Sequence, residues 1–320
     1  MNFAPSTKAW LSRRGQRTPG AFMPGLVRSL RALRYWREHQ ALRRLDLVRR
    51  FVAPAQGGDP FHHLGQRNYL ANDFSARQRV QCALAHYRFE DAAFGNAYHQ
   101  AVYAPTGGGL ALWQHDSGEH TFVMRLAMSP RAEAEGELTL SLLAGGSCLH
   151  RLSYTWVDGQ LAGVDLPTVP FVTRNQGRWS DSGPAFDACE LAFPNNSPSF
   201  FCFAAMQGVA QALGIDQVVA IKCTSHIAYN PLDVKHFENA YDGFWKILGG
   251  VEMPGRSYLV KLPFYLKPLA DMPSKHRKRA AQRREFWRAI GDATRSTLLR
   301  HLAPVAAQAH TVEAPETAEA

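Results

Sequence analysis

Arg174, Gln176 and Gly177 stand within TRNQGRWSDSG, residues 173 to 183, a stretch with two arginines, two glycines and three hydroxyl side chains. A guanidinium presents a planar fork of donors that grips phosphate or carboxylate in two bonds, so Arg174 is a candidate anion contact. The spacing fits a strand-end turn and does not make a recognised phosphate loop. If Arg174 has that role, Arg174→Ala lowers affinity for the anion with little change in melting temperature. Base chemistry has three candidates: Glu190 in the region after the turn, His150 beside Arg151, and His226, which closes the run CTSH at a strand end. Such a group could take a proton from an attacking amine. Cys223, three residues before His226, would share a face with it only across a bulge or a strand end. The segments HHLGQRN and HDSGEH lack the helical His pair with a carboxylate that makes a convincing metal site, so no metal is expected.

The charge balance narrows the classes of partner. The chain has 320 residues, 46% hydrophobic, with a formal net charge of +9. Eleven arginines crowd residues 13 to 50, and KHRKRAAQRREFWR fills 275 to 288. Such runs form solvated helix faces or contact phosphates of anionic lipid, nucleic acid or a cofactor. No zinc finger or RNP-type strand accompanies them, which argues against sequence-specific nucleic-acid reading. Five scattered cysteines suggest neither a disulfide framework nor a zinc site. The chain opens without an apolar secretory run, and its apolar runs fall short of the ~20 residues of a membrane span. The expected compartment is therefore the cytoplasm, with peripheral contact at the inner membrane as the alternative.

These residues need elements to position them. Residues 20 to 52 carry leucines at helical spacing with arginines between. Ser75 caps a helix over ARQRVQCALAHYRFE. From Leu110 the period changes to two, and four short segments followed by TVPFVTRNQG predict an antiparallel meander of five strands. A long Gly-, Pro- and Asn-rich loop is expected over 178 to 198. A buried helix follows, with Ser197 as cap, Pro198 and Ser199 in its first turn and Gly214 at its end. Then come a strand at DQVVAIKCTS, a helix ending at Gly249 and Gly250, a strand at RSYLVKLPFYL and a basic helix. The fold class is α+β, an antiparallel-to-mixed central sheet flanked by helices. Residues 1–54 form a basic helical N-terminal extension, 55–300 one domain, and 301–320 a disordered tail.

The blocks RNYLANDFSARQRVQCALAHYRF, FVTRNQG, QALGIDQVVAI, YDGFWKILGG and KHRKRAAQRREF resemble successive parts of the VirK/YbjX family, over about residues 60 to 290. That resemblance implies a role in the envelope, in virulence or in tolerance of antimicrobial peptides. The second half is similar in order of elements to GNAT-type N-acyltransferases, with Phe244, Leu248 and Gly249 matching the block that ends one of their helices. It implies an acyl-CoA or acyl-carrier-protein donor held by Arg174, Gln176, Gly177, Ser197 and Ser199, and catalysis by His226, Tyr241 and Glu190. Trp245 occupies the position where a tyrosine often donates the proton, and Tyr241, four residues earlier, lies on nearly the same helix face. The loop after Gly177 departs from the tight glycine run of that family. Two functions are therefore expected: an acyl-thioester-dependent N-acyltransferase, or a non-catalytic accessory protein binding anionic lipid or nucleic acid through its basic helices.

Overall fold

The period-two region becomes five strands, β1 (Leu110–Ser117), β2 (His120–Met128), β3 (Leu138–Ala144), β4 (Ser147–Val157) and β5 (Val169–Gly177), each antiparallel to the next. Gly145 and Gly146 turn β3 into β4 with φ of 54° and 85°. A two-residue hairpin of this hand requires that sign of φ, which glycine adopts without steric cost. The computed structural model describes residues 35–54, 61, 64, 68–130, 134–177 and 183–304. The basic stretch before Tyr35, residues 178–182 and the tail beyond 304 lie outside the described residues, as does most of HHLGQRN.

Three strands complete an eight-stranded, mostly antiparallel sheet of order β1-β2-β3-β4-β5-β6-β8-β7. β6 (Gln217–Ile221) is parallel to β5, β8 (Ser257–Lys261) runs antiparallel to β6, and β7 (Val251–Glu252) forms a short edge. The helices are α1 (Trp36–Arg44), α2 (Ala76–Ala93), α3 (Asn96–Tyr103), α4 (Gly159–Ala162), α5 (Gly183–Ala192), α6 (Pro198–Ala212), α7 (Val234–Glu238), α8 (Phe244–Ile247) and α9 (Ser274–Leu299). A π-helical turn over Asn239–Gly243 joins α7 to α8.

α2 starts where its capping box places it: Gln78 N–H donates to Ser75 Oγ and Ser75 N–H donates back to Gln78 Oε1 at 3.0 Å. α6 is apolar around most of its circumference because it is covered on two sides. It lies on β3, β4 and β5 and takes α9 on its outer surface. At that crossing a Cβ on Gly208 would stand 2.4 Å from the Gly291 carbonyl oxygen, so only glycine lets the backbones approach. The described parts of the two basic runs sit on separate supports, α1 against α2 and α9 against α6. Leu42, Leu47, Val48, Phe51 and Val52 belong to the same buried core as the sheet.

Two local expectations are corrected. The long loop is interrupted by α5, because Pro184 at the first turn and the helix formers of AFDACELA nucleate a helix there. The strand at DQVVAIKCTS ends at Ile221, and Cys223–Ser225 form a 3-10 turn. His226 is therefore aimed by a turn rather than by strand pleating.

Candidate functional site

β5 and β6 pair only at Phe171–Val219 and Val172–Ala220, yet β5 continues to Gly177. Beyond the last pair the two chains are bridged by side chains. Glu135 reaches into this gap, with Oε2 3.2 Å from Arg174 Nη1 and Oε1 3.2 Å from His226 Nε2. Its own backbone is held there by the Thr173 hydroxyl, which donates to the Glu135 carbonyl. The Ala228 N–H donates to His226 Nδ1 at 3.1 Å, so the ring proton sits on Nε2. That Nε2–H points between Glu135 and the Tyr241 hydroxyl oxygen, 2.9 Å away. The same oxygen receives an N–H from Gln176 at 3.1 Å.

A cavity of about 580 Å³ opens on this row. The end of β5 contributes Asn175, Gln176 and Gly177; α5 contributes Phe186, Cys189 and Glu190; the start of α6 contributes Asn196, Ser197 and Ser199; Phe237, Tyr241 and Phe244 close the far wall. Ser197 caps α6 in extended conformation, but its Oγ bonds Ser199 Oγ at 2.7 Å and no helix N–H. Pro198 has no N–H and the Phe200 N–H donates to the Ser197 carbonyl at 3.0 Å, which leaves the Ser199 N–H at the start of α6 for a ligand. Asn196 Oδ1 is buried beside this helix start without a hydrogen-bond partner.

His150 also lines the cavity. The Asn175 amide is oriented by its Nδ2–H donation to the Ala240 carbonyl at 2.7 Å, which leaves Oδ1 to accept His150 Nε2–H, also at 2.7 Å. Nδ1 of His150 is then the ring's acceptor. A Cβ on Gly177 would stand 2.6 Å from that nitrogen, so glycine makes room for the imidazole.

Protonation states follow from burial. Burial, and then the Glu135 charge, push the Tyr241 phenol well above its usual value, so it stays protonated at neutral pH. Burial pushes His150 down to about 4, which keeps it neutral. The Cys189 thiol is pushed up to about 11 by burial and the neighbouring Glu190. Cys223 rises to about 11 through burial and Asp242, to which its thiol donates at 3.4 Å. Neither cysteine is activated as a nucleophile.

The fold gathers most of the residues singled out from the sequence. Gln176, Gly177, Glu190, Ser197, Ser199, Tyr241 and His150 reach the cavity. His226, fully buried, reaches it only through Tyr241. Arg174 is turned back to Glu135 and does not line the cavity. Trp245 points away, its indole N–H donating to the Ile221 carbonyl at 2.9 Å, so Tyr241 is the aromatic hydroxyl that faces the cavity. Sequence reasoning missed Glu135, one glutamate of the run AEAEGE, because nothing local distinguishes it from its neighbours. It also missed Asn196, which looked like a loop residue. Among the described residues no group of three or more His, Cys, Asp or Glu side chains is placed to hold a metal ion.

A family model described as "Protein of unknown function (DUF535)" matches residues 55–165 and 196–294. The chain belongs to this family. Glu135, His226 and Tyr241 lie in the matched segments, whereas Arg174 to Gly177 and Glu190 fall between them. The chain is also similar to the uncharacterized protein YbjX of Escherichia coli K12, 27% identical over 231 residues. That alignment covers 69% of this chain and 66% of the YbjX protein, so the chain spans just under two thirds of its relative's length. No solved structure matches. Among the described residues no helix is long and apolar enough to cross a membrane.

Proposed function

We propose that the cavity is the site of an acyl-thioester-dependent N-acyltransferase, the reading that the GNAT-like order of elements suggested. The observation that carries it is the unpaired end of β5, with the Tyr241 hydroxyl facing the cavity and the start of α6, with its Ser199 N–H, close by. An extended donor with amide groups fits beside a strand whose outer edge has no partner strand. Its phosphates fit the Ser199 N–H and the Ser197 and Ser199 hydroxyls beside it, helped by the helix dipole. No lysine or arginine is among the described lining residues, so uncharged donors carry that contact.

In the reaction the amine nitrogen attacks the thioester carbonyl carbon and the C–S bond breaks, giving an amide and a thiol. The amine gives up a proton, and the departing sulfur takes one. Tyr241, held protonated by its environment, suits the second role. As its proton leaves, Gln176 and His226 already donate to the oxygen, so the developing phenolate needs no new partners. His150 Nδ1 and the Glu190 carboxylate are the groups at the cavity for the first role. The family resemblance suggests an amine on an envelope component or peptide as the acceptor.

The test is a thermal-shift titration of the full chain with CoA, acetyl-CoA and a long-chain acyl-CoA, beside ATP and anionic vesicles. A native-state ligand at a hundred times its Kd raises stability by about 2.7 kcal/mol. A shift specific to CoA and its thioesters supports the reading. Equal shifts with every polyanion, or none with thioesters, overturn it.

A further inference from the structure

Single apolar side chains on a surface are ordinary, but a contiguous group standing out of it marks a contact. At the β7 end of the sheet four such residues cluster: Ile247 is 60% exposed, Val251 62%, Tyr265 56% and Leu266 37%. They are fixed to one another by backbone. The Tyr265 N–H donates to the Leu248 carbonyl at 3.0 Å, and the Tyr265 side chain packs on Gly249, where an added Cβ would lie 2.6 Å from its own. Val251 follows in the two-residue edge strand, paired to Leu259.

Cations frame this corner. Lys246 and Lys261 are exposed on it, and Glu252, the carboxylate next to Val251, is already bonded by Lys222 at 2.8 Å. From Leu266 the chain passes through exposed Lys267 to α9, whose Arg284 guanidinium donates to the Lys267 carbonyl and so holds the helix against this segment. The first turns of α9 then present Lys275, Lys278 and Arg279 to solvent.

We propose that this corner docks onto an anionic lipid bilayer. Ile247, Val251, Tyr265 and Leu266 enter the interface while the lysines and arginines lie at the level of the lipid phosphates. Charge complementarity selects an anionic surface, and the exposed apolar tips select a bilayer over nucleic acid, which would satisfy the cations and leave those tips in water. The docking surface does not depend on the reaction assigned to the cavity, because none of its residues lines it.

The experiment is co-sedimentation of the full chain with vesicles of phosphatidylcholine alone or mixed with phosphatidylglycerol. One variant carries Ile247→Ser and Val251→Ser, a second Lys275→Glu, Lys278→Glu and Arg279→Glu. All five positions are exposed, so both variants should melt as the parent does. Binding only to the anionic vesicles is expected, weakened about tenfold in the serine variant and about a hundredfold or more in the charge-reversed one, with any binding of single-stranded RNA unchanged in the serine variant. No binding to anionic vesicles, equal binding to phosphatidylcholine alone, or a serine variant that binds as tightly as the parent each overturns the proposal.

Discussion

The Tyr241 hydroxyl and the His226 ring meet at 2.9 Å in the gap where β5 and β6 stop pairing. The phenol lines the cavity and the imidazole lies wholly behind it, so a proton-handling group reaches solvent-accessible space while its partner stays dry. Glu135 meets the same ring nitrogen, Nε2, at 3.2 Å and ties it to Arg174, while the Ala228 N–H holds Nδ1 on the opposite side. The arrangement differs from a catalytic triad, where the imidazole bridges carboxylate and hydroxyl through its two nitrogens: here both share the one N–H at Nε2, which fixes their positions around the ring.

Tyr241→Phe tests the member of this cluster that faces the cavity. It removes the hydroxyl and keeps the ring, so donor binding measured by thermal shift persists. Turnover of an acyl thioester with an amine falls about a hundredfold or more, as expected when a positioned acid is lost. Gln176 and His226 lose an acceptor, which costs about 1–3 kcal/mol in stability. Unchanged turnover would sink the acid role.

Arg174→Ala and Glu135→Ala test the buried ion pair behind it. Both side chains are about nine-tenths buried and face each other at 3.2 Å. Breaking such a pair from one side costs about 3–5 kcal/mol. The sequence alone suggested that Arg174→Ala would leave stability nearly unchanged; the ion pair reverses that expectation. Urea denaturation of the two single variants and the double variant should show a double loss smaller than the sum. Additive losses would mean that the two residues do not act as a pair.

Glu90 gives a pH dependence with a definite sign. It is completely buried, with the Trp156 indole N–H donating to it at 2.6 Å, and burial raises its carboxyl from 4.5 to about 7. Between those values the native state holds a proton that the unfolded chain has lost, so this contribution to stability falls as pH rises. The slope is about 1.4 kcal/mol per pH unit. His86 and His150, both pushed down to about 4 by burial, give the opposite slope from 4 up to about 6.5. Glu90→Gln cancels only the first effect. Its stability relative to the parent should therefore rise across pH 4.5 to 7, read from denaturation midpoints; a flat difference would contradict the shift.

Gly208→Ala probes the α6–α9 crossing. A Cβ 2.4 Å from the Gly291 carbonyl oxygen forces the helices apart. The expected loss is about 1–3 kcal/mol, seen as a lower melting temperature. A variant that melts with the parent would show that the two helices can separate freely.

How much could be read before folding depended on the range of the interaction. The meander, the Ser75 cap and the buried helix after Ser197 follow from neighbours within a few positions: side-chain alternation, capping hydroxyls, proline at a first turn. The helix over Gly183–Ala192 was local too, but its glycine, proline and polar flanks hid it. Tyr241, His226, Gln176 and Ser197 could be chosen by residue type and by position at the ends of elements. Their meeting could not be foreseen, because His226 is placed by a 3-10 turn and Tyr241 by a π-helical one. Glu135 was invisible for the same reason, since its partners stand 39 and 91 positions away at Arg174 and His226. Local propensity determined the elements of this protein. Only the packing of α6 across the sheet, and the early end of β5–β6 pairing, decided which side chains share the cavity, because contacts between distant parts of a chain form only when the core closes.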